Sequence, residues 1–99
     1  MTYGGTVYIL TNRHHTTLYV GVTSDIPSRF RQHLNRDDPK SFTARYNLNK
    51  LVYVEHLDHI DSAIQREKYI KGKSRKWKIA LIEANNPDWS DLGPEILKW

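Results

Sequence analysis

Thr6–Thr11 (TVYILT) and Thr17–Val22 (TLYVGV) flank the polar stretch Asn12–Thr16. Both runs are rich in β-branched and aromatic residues, and the loop between them is short, so they read as a β-hairpin. Side chains alternate across a strand, which puts Val7, Ile9, Leu18, Val20 and Val22 on one apolar face and Tyr8 and Tyr19 on the other. A symmetric loop would set Tyr8 opposite Tyr19, Val7 opposite Val20 and Ile9 opposite Leu18. A shared tyrosine face is in most sheets an ordinary cross-strand aromatic pair. Its neighbours decide whether it is more than that.

Ser24-Asp25-Ile26-Pro27 is a helix start, with capping side chains and a proline in the first turn. The helix predicted to follow runs to about Asn35, with an apolar stripe of Ile26, Phe30 and Leu34. Arg29 and His33, four residues apart, border that stripe and should lie beside the sheet. The polar segment from Arg36 to Asn49 contains Pro39 and reads as a loop, with a helical turn near Ala44–Leu48. Leu51–Leu57 (LVYVEHL) is a third strand.

Asp58 and Asp61 are candidate caps for a second long helix, whose stripe reads Ile60, Ala63, Ile64, Glu67, Ile70 and Lys71. A carboxylate thus falls where the 3.6-residue period calls for an apolar group. Burying it alone costs several kcal/mol, so it should be paired, with Arg29 an obvious counter-charge, or should hold a cation. Beyond Gly72, Ser74 can cap a further helix with the stripe Trp77, Ala80, Leu81 and Ala84, ended by Asn85-Asn86-Pro87. The tail carries Trp89, Leu92, Ile96 and Trp99 at spacings that suit docking onto the core. The expected architecture is α+β: a three-stranded antiparallel sheet flanked by helices, in the order β-β-α-β-α-α. One domain is expected over residues 1–99, with a core at about 4–84 and a docked tail at 85–99.

At 99 residues the chain has room for a single core. The absence of cysteine excludes disulfides, thiolate zinc sites and thiol nucleophiles, and is compatible with a cytoplasmic protein. No apolar run approaches the ~20 residues of a membrane span, and the N-terminus lacks the order of a signal peptide. The net charge of +4 is uneven. Arg66, Lys68, Lys71, Lys73, Arg75, Lys76 and Lys78 are interrupted by one anion, Glu67. Grouped cations of this kind favour a polyanion such as nucleic acid, although they would also serve as a solvated helix face. His14 and His15 sit in a loop with no third ligand nearby in sequence and read as surface residues.

Tyr8, Tyr19, Arg29, His33 and Glu67 share one property: each is polar on, or beside, a face that packing would otherwise fill. Phosphodiester hydrolysis needs such parts, namely a base for water, a cation for charge on phosphorus and a carboxylate for a divalent metal. A lone carboxylate suits Mg²⁺, which takes few protein ligands, so one ion, Mg²⁺ or Mn²⁺, is expected.

Taken in order, Thr6-Val7-Tyr8, Tyr19-Val20-Gly21, Ser24–His33 (SDIPSRFRQH) and Ala63–Gly72 (AIQREKYIKG) resemble the GIY-YIG nuclease domain, in particular its small single-domain bacterial branch of predicted endonucleases. The likeness runs from about Thr6 to Asp91 and takes in Asn86-Pro87-Asp88-Trp89. Each motif alone is weak; the ordered set is specific. The resemblance implies a DNA endonuclease. Tyr8 would lie beside the attacking water, Tyr19 would hydrogen-bond in the same site, and Arg29 would stabilise phosphate charge. His33 would activate or shuttle a proton, and Glu67 would bind metal. Arg66 and Lys71, with Lys68, Lys73, Arg75 and Lys76, are the expected nucleic-acid contacts. Gly21 would allow close backbone approach. Thr6 stands where the family prefers glycine. Either Tyr8 or His33 could be the base, since a free phenol titrates near ~10 and an imidazole near ~6.5. The competing expectation is a nucleic-acid-binding module that cuts weakly or not at all. Either would act on nucleic-acid shape rather than sequence, as a monomer or weak dimer.

Overall fold

The computed structural model describes residues 4–98. Three strands, β1 (Gly5–Thr11), β2 (Leu18–Thr23) and β3 (Lys50–Leu57), form one antiparallel sheet in the order β2-β1-β3. Helix α1 (Ile26–Asn35) and the single turn α2 (Phe42–Arg45) connect β2 to β3. Helices α3 (Ile60–Lys71), α4 (Arg75–Asn85) and the short α5 (Gly93–Ile96) follow. The α+β class and the three-stranded antiparallel sheet are as the sequence predicts; the helical turn expected near Ala44–Leu48 lies earlier, as α2, and α5 is an addition.

Being central, β1 is buried along its whole length, and its alternating side chains feed two cores. Val7 and Ile9 pack with Val20, Val52, Tyr53 and, from α3 and α4, Ala63, Ile70 and Ile82. On the other face Tyr8 and Leu10 pack with Leu51, Leu48, Ile26 and Phe30 of α1, and Ile96 of α5. A bulge between Ile9 and Leu10 lets Val52 and Tyr53, adjacent in sequence, both join the first core.

The hairpin register differs from the symmetric expectation by two residues: Tyr8 faces Gly21, and Leu10 faces Tyr19. The cause lies in the loop. Asn12 Oδ1 accepts hydrogen bonds from the backbone N–H groups of Thr16 and Thr17 (2.8 and 3.3 Å), and Thr11 Oγ1 donates to the Thr17 carbonyl at 2.8 Å. These bonds draw Thr17 out of the strand, and β2 begins at Leu18. A slip of two leaves each side chain on its predicted face.

Asp25 caps α1 through Ser28 N–H, and Ser74 caps α4 through Trp77 N–H. At the start of α3 the cap position is His59, not Asp58, and no side chain bonds there. Two stripes need correction. In α1 the buried residue after Phe30 is His33, three residues on, while Leu34 is 41% exposed. In α4 the buried residue is Ile82, with Trp77, Ile79 and Leu81 packed around it; Ala80 and Ala84 face outward. Trp89 and Ile96 are buried, Leu92 packs against the second core, and Leu92 N–H donates to the Leu51 carbonyl at 2.7 Å. Trp99 lies outside the described residues. Among the described residues no helix is long and apolar enough to cross a membrane.

Candidate active site

The second core is apolar only at one end. Toward the β2 edge it gives way to Tyr19, Arg29 and His33, which line one groove, with Tyr8 buried behind His33. Gly21, opposite Tyr8, leaves room for the phenol: a Cβ there would sit 2.5 Å from the Tyr8 oxygen. Tyr8 is therefore aimed across β2 rather than stopped by it. Its hydroxyl meets His33 Nε2 at 3.0 Å, and its ring lies 6.3 Å from that of Tyr19. The His33 ring stands nearly edge-on to both tyrosines, at 5.8 and 5.9 Å. Its other nitrogen, Nδ1, meets Thr43 Oγ1 of α2 at 3.0 Å.

Burial pushes the Tyr8 phenol up to about 12, although a hydrogen-bond interaction with Arg29 pulls the other way. His33 is pushed down to about 4, first by burial and then by the Arg29 charge. At neutral pH the site thus holds a neutral phenol against a neutral imidazole. For Arg29, burial works against the charge, but the phenol oxygens of Tyr8 and Tyr19 outweigh it and raise its affinity for the proton. Its Nη1 donates to Gln32 Oε1 at 2.9 Å. Arg29, Gln32, Tyr19, His33, Phe42 and Thr43 line an open groove of about 350 Å³.

Glu67 approaches from α3, in the layer on the opposite face of the sheet, where β2 is an edge strand. It is 9% exposed, and its charge acts on the Tyr8 phenol. The expected counter-charge was Arg29; the ion-pair partner found is Lys71, at 3.4 Å from Oε1, one helical turn along. Oε1 is nevertheless buried without a hydrogen bond. A buried carboxylate oxygen with one long lysine contact and no hydrogen bond has lone pairs left for a hard cation. Among the described residues no three His, Asp or Glu side chains cluster as metal ligands. An ion held by Glu67 would therefore keep much of its shell as water, as Mg²⁺ does.

The cationic stretch divides. Lys71 Nζ lies 5.9 Å from the Tyr19 ring centroid, and with Lys78 it lines a second groove along β2, beside Leu18 and Phe42. Lys73 lies over the Tyr69 and Trp77 rings at 4.4 and 5.7 Å. Arg66 is paired with Glu55 at 3.1 Å, and Glu55 also accepts a hydrogen bond from Tyr53. Arg75 donates to the His15 carbonyl at 2.7 Å. Lys68 and Lys76 are exposed. His15 stacks on Trp89 with ring centroids 4.5 Å apart. Thr6, the departure from the family's glycine, bonds through Oγ1 to His56 Nδ1 of β3 at 2.7 Å, on the side of β1 away from β2.

Three contributors were not singled out from the sequence. Thr43 and Phe42 lie in a polar segment without helical or strand periodicity, and only Ser41, which caps α2 through Ala44 N–H, marks a turn there. Lys78 counted toward the cationic stretch but not as a groove residue.

The sequence matches the GIY-YIG catalytic domain over residues 4–80. It is 35% identical over 79 residues to a UPF0213 protein of Syntrophus aciditrophicus, spanning 80% of this chain and 90% of that one. It is also 35% identical over 90 residues to the UPF0213 protein CPE1444 of Clostridium perfringens, spanning 91% and 95%. In fold it is similar to the solution NMR structure of the UPF0213 protein BH0048 from Bacillus halodurans, with a TM-score of 0.56, 24% identity, and coverage of 89% and 92%. With the two tyrosine motifs on neighbouring strands and the glutamate of α3 brought round to them, the chain belongs to the GIY-YIG family, whose catalytic domain is that of a nuclease.

Proposed function

We propose that the protein is a divalent-metal-dependent endonuclease that hydrolyses DNA phosphodiester bonds and is directed by substrate structure rather than base sequence. The observation that carries this reading is the buried Oε1 of Glu67, ion-paired to Lys71 but without a hydrogen bond, whose charge acts on the phenol of the Tyr8–His33 pair. Glu67 would hold the ion, Mg²⁺ or Mn²⁺, which when bound supplies positive charge to the phosphate oxygens and the leaving group.

The chain's own residues then divide the work. Tyr8 orients the attacking water and takes its proton as its own phenolic proton passes to His33 Nε2, 3.0 Å away. The water oxygen bonds to phosphorus, the phosphorus–oxygen ester bond breaks, and the leaving oxygen is protonated from solvent. Arg29, held between the groove and the two phenols, stabilises the charge that builds on the phosphoryl oxygens. Lys71 and Lys78 flank the path of the strand along β2. Phe42 and Tyr46, 47% and 46% exposed with ring centroids 4.7 Å apart, offer faces on which unpaired bases can stack. This supports cutting at flaps or junctions rather than at a base sequence.

The competing reading, a nucleic-acid-binding module, draws on one observation. Tyr8 near 12 and His33 near 4 are both poor proton acceptors at neutral pH until substrate and metal charges alter their surroundings. One experiment separates the two. Supercoiled plasmid and flap-bearing duplexes are incubated with Mg²⁺ or Mn²⁺ and either wild type or Glu67→Ala. Metal-dependent cutting lost in the variant, by about a hundredfold or more, is the expected outcome. Salt-sensitive binding with no cutting would establish the binding module, and equal cutting by both proteins would expose a contaminant.

A further inference from the structure

The imidazole of His33 is buried and bonded at both nitrogens, so its tautomer is set by its partners. On one side, the Arg29 guanidinium, which can only donate, acts on the Tyr8 phenol and favours its oxygen as an acceptor. The phenolic proton is left to donate, and His33 Nε2 stands 3.0 Å away. Nδ1 then carries the imidazole proton and needs an acceptor, which Thr43 Oγ1 supplies at 3.0 Å. With its acceptor role taken by His33, Thr43 can donate to Ser41 Oγ, 3.2 Å away, and Ser41 Oγ also accepts from Ala44 N–H at 3.3 Å. The chain runs in one direction, Tyr8 to His33 to Thr43 to Ser41. Each of the three hydroxyls in it has an acceptor role that its neighbours satisfy.

The acceptor is also rigidly held. Thr43 is 6% exposed, its carbonyl receives Leu48 N–H at 2.9 Å, and Ser41 caps the turn of α2 on which it sits. A threonine on a surface turn has no packing reason to be buried against a histidine of another helix; the hydrogen bond supplies one.

We infer that Thr43 is a positioning residue for the reaction: by accepting the Nδ1 proton of His33, it keeps the Nε2 lone pair free to receive the proton of Tyr8. The inference rests on the nuclease reading for its consequence in catalysis, but not for the tautomer itself. With the proton on Nε2 instead, His33 would donate to the Tyr8 oxygen, and the phenol would have no lone pair on His33 to receive its proton.

The test uses the full chain labelled with ¹⁵N, whose histidine side-chain resonances in long-range ¹H–¹⁵N spectra distinguish the two neutral tautomers. Wild type and Thr43→Ser should both show His33 protonated at Nδ1. Thr43→Val, of nearly the same shape but without the hydroxyl, should shift His33 to the Nε2-protonated form or to a mixture. In cleavage assays Thr43→Val should lose roughly ten- to a hundredfold in kcat with KM little changed, and Thr43→Ser should recover most of it. Protonation at Nε2 in wild type, or a Thr43→Val protein with the wild-type tautomer and wild-type kcat, would overturn the inference. A wild type that cuts no DNA yet shows the Nδ1 tautomer lost in Thr43→Val would overturn the nuclease reading and leave the tautomer assignment standing.

Discussion

The two faces of the sheet are built by the same alternation along β1, yet they end differently. Against α3 and α4, Val7 and Ile9 pack with apolar partners such as Val52, Ala63, Ile70 and Ile82, and Glu67 of α3 is the charged group buried in that layer. Against α1 and α5, Leu10, Phe30 and Ile96 close half of the layer in the same way. The other half is occupied by Tyr8, His33 and Thr43, buried but polar, and it opens into the groove. Buried polar groups contribute little stability beyond the hydrogen bonds they make, and they are costly when one is left unpaired. Glu67 apart, the first face is what folding requires; the second spends part of its burial on holding reactive groups in place.

That contrast predicts a separation of stability from activity. Tyr8→Phe should lower cleavage by about 10²–10⁴, the span of general acid–base contributions, while altering stability by only ~1–3 kcal/mol, since the ring is kept and His33 Nε2 loses its partner. Urea unfolding beside single-turnover kinetics checks both numbers. Ile82→Ala, on the first face, should do the reverse: a loss of ~2–5 kcal/mol in stability, with the rate unchanged when measured well below the melting temperature. Were Ile82→Ala to abolish cutting in a folded protein, the division between faces would fail.

A smaller effect concerns pH. Folded His33 takes up its proton only near pH 4, whereas in the unfolded chain it does so near ~6.5. Between these values the unfolded state binds more protons. Stability should therefore be full above about pH 6.5 and fall as the pH drops toward 4, by up to ~3 kcal/mol from this group. Comparing urea midpoints at neutral pH and near pH 4.5, the His33→Gln protein should lose less stability than wild type. An identical loss in both would place the acid sensitivity elsewhere.

The comparison of faces also shows what a sequence can and cannot reveal. The facing of Tyr8 and Tyr19 was legible because strand periodicity survives a slip of two residues. The register was not, because it turns on Asn12 side-chain bonds that no periodicity reports. Glu67 stood out as an anion in an apolar stripe, and its burial follows from that position. Its partner was misread, because Lys71, one turn along the same helix, lies nearer than an arginine on another. His33 was placed at the border of its helix face, whereas it sits within it and Leu34 points outward. Three- and four-residue steps are equally helical, and only the tertiary neighbours choose between them. Thr43 was illegible because its role depends on a loop folding back onto α1, a contact ten residues long in sequence and specified by packing rather than pattern.

We propose a divalent ion at Glu67, whose charge acts on the Tyr8 phenol. Crystals of wild type and of Glu67→Gln soaked in Mn²⁺ and measured for anomalous scattering test it most directly. One strong peak is expected at the Glu67 carboxylate, on the side of the tyrosine pair, with its loss in Glu67→Gln. A vacant carboxylate in soaked wild type, or a peak there that persists undiminished in the variant, would contradict it.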